Sequence, residues 1–243
     1  MANHYLHNVQ GLFDTIAPNY DRMNNIISLG THRHWRRQTM AQIHLRPTDH
    51  VLDLCCGTGD WTIALAQELT ATDGVIGLDF SAPMLKIAQQ KVHQAHVDKQ
   101  VWLRRGNAMH LPFHDNQFDV VTIGFGLRNL PDKVQGLAEI YRVLKPGGQL
   151  ICLETSQPDQ PLIKPVWQWY FTRVVPWFGR LFAHQYQEYA YLQETTRHFV
   201  SYRQLVTLFQ QAGFTQVHYQ RFNFGAAAAH FGTKPATTEV HHD

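Results

Sequence analysis

Between residues 51 and 156, short apolar runs alternate with longer segments whose apolar positions recur every three to four residues. The short runs read as buried strands and the longer ones as amphipathic helices. Five strands are expected at "HVLDLCC" (50–56), "GVIGLDF" (74–80), "QVWLRRGNA" (100–108), "QFDVVTIGFG" (117–126) and "PGGQLICLETS" (146–156), the last after a tight turn at Gly147-Gly148. Helices are expected at "WTIALAQEL" (61–69), "SAPMLKIAQQKVHQA" (81–95) and "DKVQGLAEIYRVL" (132–144). Ser81 caps the second of these, with Pro83 in its first turn. Such alternation builds a mostly parallel sheet with helices on both faces. Near-continuous apolar strands agree, because they are covered on both sides. Ligands in such α/β folds bind beyond the carboxyl ends of the strands. That directs attention to Gly57–Asp60, Asp79, 107–108, 124–129 and 154–156.

The rest frames this core. Residues 1–46 read as helical, with a basic surface helix at "HRHWRRQ" (32–38). Residues 157–200 read as an aromatic, helix-rich insertion. "SYRQLVTLFQQAGF" (201–214) is a helix with a Ser201/Gln204 capping box and Gly213 as its stop. "TQVHYQRFNFG" and "AAAAHFGTKP" read as a last strand pair turning near Gly225. The expected organisation is one domain over 1–234, divided at 46, 156 and 200, with a disordered tail at 235–243.

Composition narrows the field. The formal net charge of +2 gives no field that would hold nucleic acid. Charged residues make up 16 % and aromatics 12 %, enough apolar material for a core and an apolar ligand. Three cysteines, two of them adjacent, form no disulfide framework and fit a reducing cytoplasm. The start, "MANHYLHNVQ", lacks a basic patch followed by an apolar run. The most apolar stretch, 161–182, is broken by Lys164, Pro165, Arg173, Pro176 and Arg180, so no spanning helix is expected.

The chemistry gathers after the first strand. Gly57, Thr58 and Gly59 form a turn where a ligand can approach bare backbone at the start of a helix. Asp79 ends the next strand, where a carboxylate can accept hydrogen bonds from two ribose hydroxyls. A dinucleotide fingerprint needs a third glycine, and Thr62 stands there instead. Asp53 at the entry of the loop would repel a pyrophosphate, but it tolerates a ligand with cationic groups. S-adenosylmethionine carries a sulfonium and an ammonium and no phosphate, so it is favoured over a nicotinamide dinucleotide. Asn107 and Ala108 would lie beside the adenine. Cys55 and Cys56 have no CxxC partner and read as small packing residues. The sixteen histidines form no HExxH-type cluster, so no metal is expected.

Longer signatures then point to a family. "YDRMNNIISLGTHRHW" (20–35), "GFGLRNLPD" (124–132) and "RVLKPGGQLICLETS" (142–156) resemble the menaquinone/ubiquinone biosynthesis C-methyltransferases, a branch of the class I S-adenosylmethionine-dependent methyltransferases. The similarity spans nearly all of 8–234. "CCGTGDWTIALA", "GNAM" and "CLETSQP" are most similar to the enzymes that methylate demethylmenaquinol. The resemblance implies a Rossmann-like, mostly parallel seven-stranded sheet. It implies donor contacts at Thr58, Asp79, Asn107 and Ala108, and we add Asp53, Gly57, Gly59 and Phe80 to that set. Gly124 stays in the set as well. Many ubiquinone-branch members carry serine there, and glycine offers no hydroxyl. Arg128 is expected to stabilise phenolate charge, and Asn129 to orient the ring or a water. Tyr20 and His32 are placed to line the ring pocket or relay a proton. The implied acceptor is polyprenylated demethylmenaquinol, with peripheral membrane contact through 161–182 at the inner face of the cell membrane. The oligomeric state is left open, a homodimer being one option. A methyltransferase of another apolar small molecule, such as a ubiquinone precursor, is the alternative. A dehydrogenase and a non-catalytic donor-binding module are the weaker ones.

Overall fold

The computed structural model describes residues 2–170, 173, 191 and 194–236, with only the backbone for 2–8. Seven strands form one sheet in the order β3-β2-β1-β4-β5-β7-β6. They are β1 (Val51–Leu54), β2 (Val75–Asp79), β3 (Val101–Arg105), β4 (Phe118–Gly124), β5 (Leu144–Thr155), β6 (Thr215–Phe222) and β7 (Ala227–Thr233). All neighbours run parallel except β7, which is antiparallel to both β5 and β6. Strand order reverses between β1 and β4, which opens a crevice at their carboxyl ends.

The apolar runs explain the two-sided core. On β1 Leu52 and Leu54 face one cluster with Leu78, Ile123 and Leu137, while Val51 joins the other with Val75, Leu65 and Ile151. Successive strand residues point to opposite faces, so a strand covered on both sides is apolar throughout. Truncating fully buried Leu52 or Leu137 to alanine costs about 2–5 kcal/mol by the usual cavity penalty.

Eight helices carry labels here: α1 (Ala2–Ile16), α2 (Tyr20–Ile27), α3 (Thr31–Met40), α4 (Asp60–Ala66), α5 (Ala82–Gln94), α6 (Lys133–Val143), α7 (Ile163–Trp169) and α8 (Tyr202–Gln211). The Ser81 hydroxyl accepts from Met84 N, and the Ser201/Gln204 box is complete. Gly225 turns the β6–β7 hairpin at φ 97°.

Three local expectations change. First, β1 stops at Leu54, because Cys55 has φ 56° and leaves the extended region. Second, β5 starts at Leu144 rather than after the glycine pair. Gly147 N donates to Lys234 O (2.8 Å) and Lys234 N to Gly148 O (2.9 Å), so the turn survives as an irregularity inside the strand. Third, α3 is only half a surface helix. Arg33, His34 and Arg37 are exposed, while His32 and Trp35, three apart, face inward. Of the aromatic residues in the insertion, Phe171, Trp177, Phe178, Phe182, Tyr186 and Tyr189 lie outside the described residues, as does the tail from 237.

Candidate active site

Cys55, Gly57 and Gly59 all have positive φ (56°, 55° and 82°), so the loop after β1 is tightly wound. Cys55 is the strained member, since a side chain in this region costs about 1–2 kcal/mol. A Cβ on Gly59 would stand 3.0 Å from the Ala88 Cβ, so glycine lets α4 start hard against α5. The winding turns Gly57 N toward Asp79, whose Oδ2 accepts it at 2.9 Å while Oδ1 accepts Ser81 N at 2.9 Å. Burial pushes the Asp79 carboxyl up to about 6, with its backbone donors pulling the other way. Each oxygen keeps a lone pair for a further donor.

A cavity of about 220 Å³ opens over this carboxylate. Asp79, Phe80, Asn107 and Ala108 line it, as do Gly57 and Gly124. Among the described residues neither lysine nor arginine lines it, so a pyrophosphate finds no counter-charge from them. A Cβ on Gly124 would stand 2.7 Å from the Trp61 ring, which explains glycine at that place on packing grounds. Asn107 Oδ1 accepts Met109 N at 2.9 Å. From above, α1 closes the cavity through Val9, Gln10 and Phe13. The Phe13 ring meets Phe80 edge-on at 5.9 Å and Tyr20 at 6.2 Å. The cavity fits S-adenosylmethionine: an acid for the ribose, an apolar slot for the adenine and no phosphate cradle.

A second, smaller cavity of about 90 Å³ shares Tyr20, Cys55, Gly57 and Gly124 with the first. Asp53, Thr58, His32 and Arg128 line it rather than the first cavity. Asp53 accepts from the hydroxyls of Thr62 (2.6 Å) and Thr122 (2.8 Å), and burial pushes its carboxyl up to about 6. Thr58 Oγ1 donates to Asp21 Oδ1 at 2.6 Å. The Ser28 hydroxyl donates to Asn24 O (2.6 Å), so it accepts at 2.7 Å from His32 Nδ1. That assigns the proton to Nδ1 and leaves Nε2 as the acceptor. Burial, helped by Arg36, lowers His32 to about 4, so the ring is neutral near pH 7. Burial also raises the Tyr20 phenol.

A third cavity, about 470 Å³, is also lined by Arg128, together with Val9, Leu12, Lys133, Glu194, His198 and Phe199. Arg128 NH1 donates to Glu154 Oε2 at 2.8 Å, with both side chains almost fully buried. Burial works against the Arg128 charge, but Glu154 more than offsets it and holds the guanidinium above its usual pKa. Asn129 is locked: its Nδ2 donates to Phe125 O (3.2 Å) and its Oδ1 accepts from Tyr191 OH (3.2 Å).

Two arrangements escape the sequence pattern. Lys91 Nζ reaches Asp21 Oδ2 (2.8 Å), Thr58 Oγ1 (3.3 Å) and Asp60 Oδ1, and Arg36 pairs with Asp60 at 3.0 Å. This cluster ties α2 and α3 to the glycine loop. Burial raises the Asp60 carboxyl, but the two cations outweigh it and the net shift is downward. The other is the Arg128–Glu154 pair. A strand end marks Glu154, but nothing in the pattern signals its partner 26 residues away.

An acid-ended β2, a wound glycine loop and a cavity without phosphate ligands define a class I S-adenosylmethionine-dependent methyltransferase. A solved S-adenosylmethionine-dependent methyltransferase of Thermotoga maritima, described as a possible histamine N-methyltransferase, shares the fold. Its TM-score is 0.65 at 18 % identity, covering 93 % of this chain and 99 % of that one. The ubiE/COQ5 methyltransferase family matches residues 1–234, and the chain belongs to it. The demethylmenaquinone methyltransferase of Lactiplantibacillus plantarum is 84 % identical over 236 residues, covering 97 % of this chain and all of that one. That of Listeria monocytogenes is 52 % identical over 226 residues, covering 93 % and 95 %.

Proposed function

We infer that this protein transfers the methyl group of S-adenosylmethionine to a ring carbon of demethylmenaquinol, giving menaquinol. The observation that carries the acceptor is full-length similarity to relatives named for that reaction. The electron-rich ring carbon attacks the methyl carbon as the carbon–sulfur bond breaks, and the ring then loses its proton. When bound, the donor supplies a methyl group activated by its sulfonium.

The chain's own residues align and exclude. Asp79 holds the ribose, Phe80 and Ala108 flank the adenine, and Gly57 and Gly124 admit the donor at close range. Asp53, Thr58 and Gly59 shape the loop beneath it. Arg128 donates to the acceptor oxygen as it becomes phenolate, where a buried cation is worth most. Asn129, fixed by Phe125 and Tyr191, orients the ring or a water. Tyr20 and neutral His32 border the second cavity, with His32 Nε2 able to take a proton. Arg128→Ala should abolish turnover while donor binding persists; normal turnover would remove that role.

Residues 1–46 act as a lid over the donor and 157–200 as the acceptor-side insertion. The lid is supported by the roof that α1 makes and by the Lys91 cluster. Membrane contact through 161–182 is supported by α7. Leu162, Val166 and Trp169, spaced as one helical stripe, are 88 %, 66 % and 62 % exposed. Trp167 and Tyr170 pack inward beside Ile27. Among the described residues no helix is long and apolar enough to cross a membrane. The exposed stripe on α7 would instead meet the bilayer surface, at the inner face of the cell membrane on this reading. Vesicle co-sedimentation tests this, and Val166→Asp with Trp169→Asp should release the protein.

The central experiment supplies methyl-labelled donor with chemically reduced demethylmenaquinone. Label on the ring carbon supports the reading, whereas label only on a quinol oxygen, or none, sinks it.

A further inference from the structure

Arg128 occupies a three-residue turn, Leu127–Asn129, directly after β4, and Glu154 is the second-last residue of neighbouring β5. Both carboxylate oxygens are engaged. Its Oε1 accepts Arg128 N at 3.1 Å, and its Oε2 accepts Arg128 NH1 at 2.8 Å and Thr155 N at 3.1 Å. Glu154 therefore grips both the backbone and one arm of the same arginine. Exposure is 5 % for the Arg128 side chain and 1 % for Glu154. Stability alone gives little reason for such a pair. Drying two ions costs several kcal/mol each, and a packed apolar pair of similar volume often serves as well.

A second observation points toward the acceptor. Arg128 Nε is buried and has no hydrogen-bond partner. An unpaired buried N–H is a standing cost of about 1–3 kcal/mol, and such groups need an explanation. Arg128 also borders both the second and the third cavity. Arg128 is thus anchored through one arm by Glu154 while the residue lines the two cavities beside it.

We propose that Glu154 is a positioning residue for methyl transfer, fixing Arg128 so that the part of the guanidinium not held by Glu154 meets the acceptor's ring oxygen as that oxygen gains charge. The inference rests on the acceptor role given to Arg128 above. Glu154 itself touches neither substrate; it acts through the arginine. The anchored arm sets the direction of the fork, and the balanced charge keeps the arginine from collapsing onto other carboxylates. A flexible lysine ammonium, with no second arm, could not be held in this way.

The test is a double-mutant cycle on the full chain: wild type, Glu154→Gln, Arg128→Lys and the double variant. Turnover is read as label transferred to reduced demethylmenaquinone, and donor affinity by calorimetry. Glu154→Gln should lower kcat by roughly tenfold or more, with donor Kd within about twofold. In the Arg128→Lys background the same change should cost less than about twofold, because its route of action is already gone. An equal loss in both backgrounds would make Glu154 a structural residue and overturn the proposal, as would a wild-type kcat in Glu154→Gln. Glu154→Asp keeps the charge and draws the anchor back. It should lose kcat while binding donor normally, so it carries the test if the glutamine variant does not fold; a wild-type kcat there also refutes the idea. A wild-type enzyme that leaves the quinol unlabelled would instead remove the acceptor reading, a result distinct from any of these.

Discussion

The first and third cavities are built in opposite ways. The floor of the first is made by the ends of adjacent strands under the α1 roof, with Asp79 as its one charged side chain among the described residues. Its central contact, Gly57 N to Asp79, joins strands that already lie side by side. The third brings Val9 and Leu12 from one end of the chain against His198 and Phe199 from near the other. Charged side chains line it as well: Arg128, Glu194, and Lys133 lying 5.9 Å over the Phe199 ring. A donor shared by many enzymes can be held by geometry that comes with the fold. On the proposed reading the third cavity takes the acceptor, and its walls come from segments far apart in the chain.

The largest expected break concerns the donor side. Asp79→Asn should lose two charge-assisted hydrogen bonds to the ribose, about 3 kcal/mol in total, or roughly a hundredfold in donor affinity. The acceptor KM should stay near wild type. The pH dependence follows from the raised carboxyl at about 6. Protonation removes its capacity to accept two hydroxyls, so donor affinity should fall as pH drops through about 6 and level off above it. A flat calorimetric profile between pH 5 and 8 in the wild type would contradict the ribose assignment.

A change remote from both cavities serves as the next reference. His230 on β7 is buried with Nε2 bonded to Tyr202 O (2.7 Å), and burial lowers it to about 4. The unfolded chain protonates near 6.5, so this group's contribution is complete above 6.5 and is lost as pH falls from there toward 4. His230→Asn removes that loss. Relative to wild type it should gain about 2 kcal/mol at pH 5 over pH 7.5, read as urea midpoints, with donor and acceptor constants unchanged at pH 7.5. Equal midpoint shifts in both proteins would show that His230 is not the proton site.

Smaller effects separate the two sides further. Lys133→Met should raise the acceptor KM about tenfold through a lost partly buried charge, leaving donor Kd unchanged. A matching change in donor Kd would dissolve the distinction between the cavities. Lys91→Met should speed donor dissociation about threefold, as expected for about 0.5–1 kcal/mol of partly exposed ion pairing. High salt should bring the wild type toward the variant in stopped-flow displacement, because these charges are screened.

The same division explains what the sequence makes legible. Strand runs, caps and the Asp79 strand end are local, so the pattern places the strands, the helices and the acid that ends β2 within a few residues. The early end of β1 is hidden, because a cysteine in a left-handed conformation has no signature. The long β5 is hidden too, since a glycine pair reads as a break unless Lys234 is known to bridge it. Asp53 ends up inside β1 and Thr58 in the loop after it, but their side chains turn to Thr62, Thr122 and Asp21, partners set by tertiary folding. Trp35 behaves in the same manner: in the sequence it sits in a basic run, yet its ring stacks on Phe222 at 6.4 Å from the other end of the chain.

Val9 of α1 borders both the first and the third cavity, with Phe13 on the first side and Leu12 on the third. One helix is therefore the party wall of two binding rooms. Whichever ligand settles that wall first lowers the ordering cost for the other, and thermodynamic reciprocity makes the help equal in both directions. The expected signature is kinetic: donor and acceptor should each tighten the other's apparent constant, giving intersecting rather than parallel initial-rate lines. The spent donor, under the same wall, should leave last and more slowly when quinol is abundant.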